Sequence, residues 1–272
     1  MKRLFEYRDE MLYCHHTLDE DPQAVDFTVH THEMMEIYYF ISGAGSFLVE
    51  GTQYALRPGD VIIMREAETH KLHIEPSQPY ERIAIHFSSK LVGQFDPGEH
   101  LLYPFTRRLL GQMNQYRADD FPSPHWKHVF QNFDFSASQQ IRAHIVARLL
   151  SFLPELCDAY DKRCGTVVPI RGTEMQLVTY VNEHLFHEIS IQSLSDTFYR
   201  SSSQIMRAFR QATGTSISRY VNVKRLLAAR AMLQRGIKSH EVCSACGFND
   251  YSSFFRAYKK QFSRSPRSDM KK

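Results

Sequence analysis

Histidine, glutamate and tyrosine side chains alternate along one short stretch near the start of the chain. The residues of this stretch that share parity, and so project to one face of an extended strand, are His30, His32, Glu36 and Tyr38. Imidazoles and carboxylates are ligands for divalent metals, and they can also hydrogen-bond a small molecule or one another. With the later His70 they predict one of two sites. One is a small-molecule pocket formed by all five residues; the other is a metal site formed by His30, His32, Glu36 and His70. We expect the pocket, with no metal or other cofactor.

A second set of chemistry-bearing residues recurs at a spacing of 49 positions near the end of the chain. Ser190–Ile217 and Ser239–Pro266 coincide at six positions, and Arg207 of the first copy matches Arg256 of the second. An arginine can donate two hydrogen bonds to O6 and N7 of guanine, and serine hydroxyls can bind phosphates or base edges. The repeat therefore predicts a protein that contacts two places on one nucleic acid.

Each copy has the pattern of a helix-turn-helix motif, whose second helix lies in the major groove of DNA. We expect helices over Ile191–Phe198 and Ser203–Gln211 in the first copy, and over His240–Cys246 and Tyr251–Gln261 in the second, with Gly247 in the turn. The residues predicted to contact DNA are Ser202, Ser203, Gln204, Arg207, Arg210, Asp250, Tyr251, Ser252, Ser253, Arg256 and Lys259.

Between the copies we expect one helix of about 18 residues, which follows a glycine cap at Gly214 and starts at Thr215 or Ser216. Such a helix is about 27 Å long, close to one DNA turn of about 34 Å. Two recognition helices joined in this way would reach successive major grooves. Because the first is serine-rich and places Met206 outward, we expect it to contribute less base recognition than the second.

Charge is divided unevenly along the 272 residues. Residues 173–272 carry 16 Lys and Arg against 7 Asp and Glu, whereas residues 1–172 carry 17 against 23. A basic C-terminal part is the electrostatic signature of phosphate binding. The chain has no run of 18 apolar residues, which excludes a predicted membrane helix, and its start lacks the apolar core of a secretory signal. We expect a cytoplasmic protein with five reduced cysteines, of which Cys243 and Cys246 are buried hydrophobes and not zinc ligands.

Two further patterns predict the layout of the N-terminal part. Short β-rich runs separated by turn signals extend from Phe27 to Phe87 and predict a β-sandwich or barrel. Beyond them, apolar residues recur every four positions and predict a helix over 100–117. A second amphipathic helix is predicted over 136–160, and we expect Pro154 to bend or break it.

The segment from Cys246 to Arg256, within a pattern that spans roughly Met175–Arg267, resembles the AraC-type (arabinose regulator) transcription factors. The spacing of His30, His32 and Glu36 before Gly43 resembles the first cupin motif. The resemblance implies an α+β fold of two domains: a cupin-like β-barrel with helices for effector sensing and dimerisation (1–160), a linker (161–172), and an all-α double helix-turn-helix DNA-binding domain (173–272).

The function implied by this resemblance is that of a sequence-specific DNA-binding transcription regulator and not an enzyme. Its implied partners are double-stranded promoter DNA, a small-molecule effector in the barrel, a second copy of the chain in a homodimer, and RNA polymerase. The competing interpretation is a metal-dependent cupin enzyme with an accessory nucleic-acid-binding domain.

Overall fold

The computed structural model describes residues 2–23, 25–26, 30–76, 78–164 and 173–270. The chain divides into two compact units, Met1–Ile170 and Arg171–Lys272. Of the linker expected at 161–172, residues 161–164 belong to the last helix of the first unit, and residues 165–172 lie outside the described residues. Within the described ranges no helix is both long and apolar enough to cross a membrane.

The first unit is built on two antiparallel sheets. Its strands, in chain order, are β1 (Lys2–Arg8), β2 (Leu12–Asp19), β3 (Val25–Asp26), β4 (Met35–Ser42), β5 (Gly45–Val49), β6 (Thr52–Ala55), β7 (Val61–Met64), β8 (His70–Ile74), β9 (Tyr80–Phe87) and β10 (Gln115–Tyr116). The larger sheet has the order β1-β2-β9-β4-β7-β10 and the smaller β3-β8-β5-β6.

Strand β4 at the centre of the larger sheet buries both faces. Tyr38 and Phe40 point toward the smaller sheet, where they pack with Phe47 and other apolar residues of the inner core. Ile37, one position away, packs instead with the residues of the covering helices. This period of two places Glu36 on the same inner face as Tyr38, and the register sets Glu36 opposite His86 of β9.

The outer face of the larger sheet is covered by the segment that follows β9. Its α-helices are α1 (Ser89–Gly93), α2 (Tyr103–Thr106) and α3 (Ile141–Cys164), joined by single 3-10 turns and β10. Aromatic side chains such as Trp126 and Phe152 fill the space between these elements and the sheet.

The helix expected over 100–117 is wrong. Helix α2 has only four residues, and the chain then turns at Gly111, whose φ is +68°. The cause is Arg108, whose side chain is buried and hydrogen-bonds Glu68. Leu109, one of the apolar residues that predicted the helix, is 62% exposed. The backbone wraps around this guanidinium and cannot continue as a helix.

Pro154, expected to bend or break the second helix, does not break it, because α3 is continuous to Cys164. Pro154 lies on the exposed face of the helix, and its neighbours Phe152, Leu153 and Leu156 are fully buried against the rest of the unit. An interior proline costs a helix about 3 kcal/mol, and the burial of these three apolar side chains offsets that cost.

The second unit is helical throughout its described residues. Its helices are α4 (Thr173–Glu183), α5 (Ile191–Phe198), α6 (Ser202–Thr213), α7 (Ile217–Gln234), α8 (Ser239–Ala245), α9 (Tyr251–Phe262) and α10 (Pro266–Asp269). One core forms around Ile205 and Phe209 and the other around Phe254 and Tyr258, and α7 contributes to both. The predicted fold class, a β-rich first part and an all-α double helix-turn-helix, is confirmed.

A candidate nucleic-acid interface and a histidine-lined pocket

Both predicted recognition helices start at a polar N-cap. In α6 the Ser201 hydroxyl accepts from the Gln204 backbone N–H, and the Gln204 side chain accepts from the Ser201 backbone N–H. In α9 the Asp250 carboxylate accepts from the Ser253 backbone N–H at 2.7 Å. Such caps satisfy backbone N–H groups that have no partner within the helix. Gln204 and Asp250, both predicted to contact DNA, therefore also hold the start of each helix.

The outer faces of α6 and α9 present matching polar side chains. Ser203, Arg207 and Arg210 are exposed on α6, and the inner face of this helix buries Ile205 and Phe209. The apolar side chains anchor the helix to its core, so the arginines project from a fixed surface.

On α9 the equivalent exposed residues are Ser252, Arg256 and Lys259. A guanidinium nitrogen of Arg256 lies 3.4 Å from the Ser253 hydroxyl, which orients the side chain along the helix. Tyr251 is exposed, and its hydroxyl lies 3.1 Å from that of Ser239 at the start of α8. The structure therefore places these predicted residues on one exposed helix face.

Ser202, predicted to contact DNA, and Met206, predicted to face outward, differ in their exposure. Ser202 is half-buried and its hydroxyl lies 3.2 Å from that of Ser195 on α5, so it joins the two helices of the first motif. Met206, by contrast, is 51% exposed beside Arg207. An apolar side chain thus occupies part of the outer face of α6.

A groove of about 930 Å³ separates the two recognition helices. Met206 and Arg210 border it on one side, and Asn249 and Ser253 on the other. Residues of α7, among them Asn222, form part of its lining. Arg210 of α6 and Ser253 of α9 thus border a common concave surface.

Arg225 of α7 ties the two motifs together. Its guanidinium donates to the Leu185 carbonyl at 2.7 Å and the His187 carbonyl at 2.6 Å, both before α5, and to the Gly247 carbonyl at 2.5 Å in the turn of the second motif. Gly247 has φ +74°, and a Cβ there would lie 2.5 Å from the Phe186 carbonyl oxygen. The loop before α5 therefore packs directly on the turn before α9.

A cavity of about 180 Å³ lies within the first unit, at the inner face of β4 and β9. It is lined by His15, His30, Glu36, Phe47, His70, Leu72, Arg82 and His86. Of the five residues predicted for a pocket, His30, Glu36 and His70 line it, and His32 hydrogen-bonds Glu36 at 2.8 Å. Tyr38 lies in the apolar core, with its hydroxyl on that of Tyr80 at 2.7 Å.

Burial and charge set the ionisation of this pocket. Burial lowers the pKa of His70 to about 3 and that of His86 to about 4, so both rings are neutral at neutral pH. Burial also acts to lower the pKa of His32, but its hydrogen bond to Glu36 raises that pKa above its ordinary value. For Glu36 burial acts to raise the pKa, and the surrounding imidazoles hold it well below its usual range. His32 is therefore the imidazole of this cluster whose protonated form the Glu36 carboxylate favours.

Sequence reasoning missed His15, Arg82 and His86, which also line the cavity. His86 lies opposite Glu36 in the pairing of β4 with β9, and opposite Tyr13 in the pairing of β2 with β9. The alternation of residues along β9 shows that Ala84 and His86 share a face of that strand. It does not show which strand lies opposite them, because tertiary packing sets the strand register.

Two family models match this chain. The model described as AraC-like ligand binding domain matches residues 16–120, and a helix-turn-helix domain model matches residues 194–272. The first range contains every residue that lines the pocket except His15, and the second contains both recognition helices. The chain belongs to the AraC family. The family and the function class predicted from the sequence, a helix-turn-helix DNA-binding transcription regulator, are confirmed.

Relatives within the AraC family match over most of their length. The HTH-type transcriptional activator RhaS of Enterobacter sp. (strain 638) is 27% identical over 265 residues, which cover 90% of this chain and 88% of that protein. RhaS of Escherichia coli O6:H1 is 25% identical with the same coverage. Among solved structures, ToxT from Vibrio cholerae with a bound unsaturated fatty acid has a TM-score of 0.42 and 10% identity, covering 96% of this chain and 95% of that chain.

Proposed function

We propose that this AraC-family regulator binds promoter DNA with both recognition helices at once and that a small molecule in the histidine-lined pocket controls this binding. The observation that carries the proposal is the pair of arginines Arg207 and Arg256, exposed at equivalent positions of two helices that Arg225 holds in one unit. Two such helices fit successive major grooves of a duplex.

The proposed contacts differ in kind along each helix. Arg207 and Arg256 are assigned to bases, since arginine pairs with guanine through two hydrogen bonds. Serine hydroxyls and Lys259 are assigned to phosphates, which fix register without specifying sequence. Binding should fall steeply with salt, because each neutralised phosphate adds about 0.9 to the slope of log affinity against log salt concentration.

The remaining parts of the proposal concern the first unit. A cavity of about 180 Å³ accommodates only a small effector, and its four histidines, Glu36 and Arg82 favour one with polar groups. We propose that the first unit senses this effector and forms a homodimer through residues 1–160, and that the segment after α3 links it to the DNA-binding part. We also propose that the regulator contacts RNA polymerase in the cytoplasm. Its pocket is regulatory and not catalytic, in keeping with relatives that are transcriptional activators.

Fluorescence anisotropy with the DNA upstream of the regulator's own gene tests the DNA-binding part. We expect Arg207→Ala and Arg256→Ala each to weaken binding by about 1–3 kcal/mol. Arg267→Ala is the control, because Arg267 is an exposed arginine of α10 outside both recognition helices. If both recognition-helix variants bind as tightly as wild type, the assignment of these helices is wrong.

A further inference from the structure

A buried carboxylate in the first unit is surrounded by imidazole nitrogens. Glu36 is 5% exposed, and its Oε2 lies 2.8 Å from Nε2 of His32 and 3.5 Å from Nε2 of His70. Its Oε1 lies 3.8 Å from Nε2 of His86. One donor atom each of His32, Glu36 and His86 falls within 4.8 Å of the other two. The donor atoms of His32, Glu36 and His86 therefore lie close together, and Nε2 of His70 faces the same carboxylate.

The hydrogen bonds on the far side of two rings determine which nitrogen faces this point. Nδ1 of His32 lies 2.6 Å from the Met34 carbonyl oxygen, and Nδ1 of His70 lies 2.8 Å from the Glu68 carbonyl oxygen. A carbonyl oxygen only accepts, so both Nδ1 atoms carry hydrogen. In a neutral His70 ring the lone pair is then on Nε2, toward Glu36. Nε2 of His32 donates to Glu36 at 2.8 Å, and it would release this hydrogen on binding a metal ion. Metal-ligating histidines are held in this way, with the other ring N–H on a backbone carbonyl.

His70 supplies a second, independent observation. Its side chain is 1% exposed, and Nε2 has no hydrogen-bond partner within the part of the chain that the structure describes. This nitrogen nevertheless faces a carboxylate oxygen of Glu36. A neutral imidazole lone pair and a carboxylate repel each other, and a buried acceptor without a partner costs free energy. A cation in contact with both removes the repulsion and satisfies the nitrogen.

The residues that hold this geometry are themselves fixed. The side chain of Glu68, whose carbonyl binds His70, accepts hydrogen bonds from Arg108 and from the Gly111 backbone N–H. The pairing of β4 with β9 sets Glu36 directly opposite His86. The donors are therefore positioned by strand register and by a buried ion pair, as a preorganised ligand site requires.

We propose that His32, Glu36, His70 and His86 bind one divalent transition-metal ion of the zinc, cobalt or nickel class. Imidazole suits these ions, and at zinc–nitrogen distances of about 2.0–2.1 Å the ligand atoms of a tetrahedral site lie about 3.3 Å apart. The separations of 2.8, 3.5 and 3.8 Å from Glu36 lie around this value. The ligand set differs from the one weighed from the sequence, because His86 takes the place of His30, which is exposed.

The ion would be a component of the effector pocket. A regulatory role for the ion rests on the proposed function, whereas the binding of the ion does not.

The test uses the full chain, which is treated with a chelator, separated from the chelator, and then titrated with Zn²⁺ or Co²⁺ alone. We expect one ion per chain by calorimetry and a visible d–d absorption band with Co²⁺. His86→Ala and Glu36→Gln should each weaken binding at least tenfold and diminish the band.

His100→Ala is the matched control, because His100 is an exposed histidine of the same unit that contacts Asp96 and not Glu36. It should bind the ion as wild type does. Circular dichroism shows which variants are folded, and His86→Ala decides if Glu36→Gln does not fold. Absence of stoichiometric binding, or affinities unchanged in both variants, overturns the metal site. DNA binding measured on the same samples is a separate readout: DNA binding without metal binding refutes this inference alone, and metal binding without DNA binding refutes the proposed function alone.

Discussion

The two helix-turn-helix motifs resemble each other in their buried residues and differ in their exposed residues. Both recognition helices have 12 residues, and both bury an apolar residue and an aromatic ring at equivalent positions, Ile205 and Phe209 in one and Phe254 and Tyr258 in the other. Their turns differ, because the left-handed position is Tyr199 in the first motif and Gly247 in the second. The repeat therefore preserves what builds each helix more closely than what each helix presents or how its turn is made.

The turns of the two motifs also differ in what surrounds them. Tyr199 is 94% exposed, so the turn of the first motif faces solvent. Gly247 lies under the Phe186 carbonyl and beside the Arg225 guanidinium. The second turn thus carries the contact between the motifs, and changes there should affect both of them.

The largest effect is expected for Gly247→Ala. A left-handed φ costs a non-glycine residue about 1–2 kcal/mol, and the new Cβ at 2.5 Å from the Phe186 carbonyl forces a backbone shift that adds about 1–3 kcal/mol. We expect the free energy of unfolding to fall by about 2–5 kcal/mol. Chemical denaturation measures it, with Gly214→Ala as control, since Gly214 has a similar φ of +71° at the end of α6. Equal losses in the two variants would contradict the close contact.

Arg225→Ala should come next, because it removes three hydrogen bonds that join the motifs. Hydrogen bonds of a charged donor contribute about 1.5–3 kcal/mol each when buried, and Arg225 is half-buried, so we expect a loss of about 2 kcal/mol.

The same variant tests whether Arg225 sets the separation of the two helices. Affinity for DNA with both half-sites should fall at least tenfold, while affinity for a single half-site should change little. The control is Arg235→Ala, at the exposed end of α7. A parallel loss on one and two half-sites would argue against a positioning role.

A smaller effect of opposite sign is expected for Tyr199→Gly. Removing the Cβ relieves the backbone strain of a left-handed residue in an exposed turn and so raises the free energy of unfolding. The greater freedom of glycine in the unfolded chain offsets part of this increase. We expect a net gain of about 0.5–1 kcal/mol in thermal or chemical denaturation. Tyr199→Ala keeps the Cβ and should give no gain, and a gain in both variants would attribute the effect to the ring.

The smallest effect concerns charge. Gln211 of the first recognition helix occupies the position of Lys260 in the second, and both are exposed. Gln211→Lys should steepen the salt dependence of DNA binding by about 0.9 in slope and Lys260→Gln should reduce it equally, a change of about threefold in affinity between 50 and 200 mM salt. If the slope changes only for Lys260→Gln, the two helices do not approach the phosphates alike.

Helices α5 to α9 of the second unit were predictable to within about two residues because their signals are local, whereas no helix was predicted at the positions of α4 and α10. Ser201 and Asp250 cap the helices that follow them, and Gly214 and Gly247 adopt the left-handed conformation expected of them. The segment around Arg108 was not predictable, since its backbone follows an ion pair with Glu68, 40 positions away. His86 was missed for the same reason: the register of β4 and β9 places it, and no local pattern states that register.

Helix α7 supplies Ile217, Tyr220 and Val221 to one core, and Leu226, Ala229 and Leu233 to the other. Neither motif is complete without its half of this helix. A chain cut just after α7 would keep the first motif but expose the apolar half of α7 to water, where it would promote aggregation. A separately expressed second motif would lack one wall of its core. The two motifs are therefore expected to unfold in a single transition and to be inherited, gained or lost together.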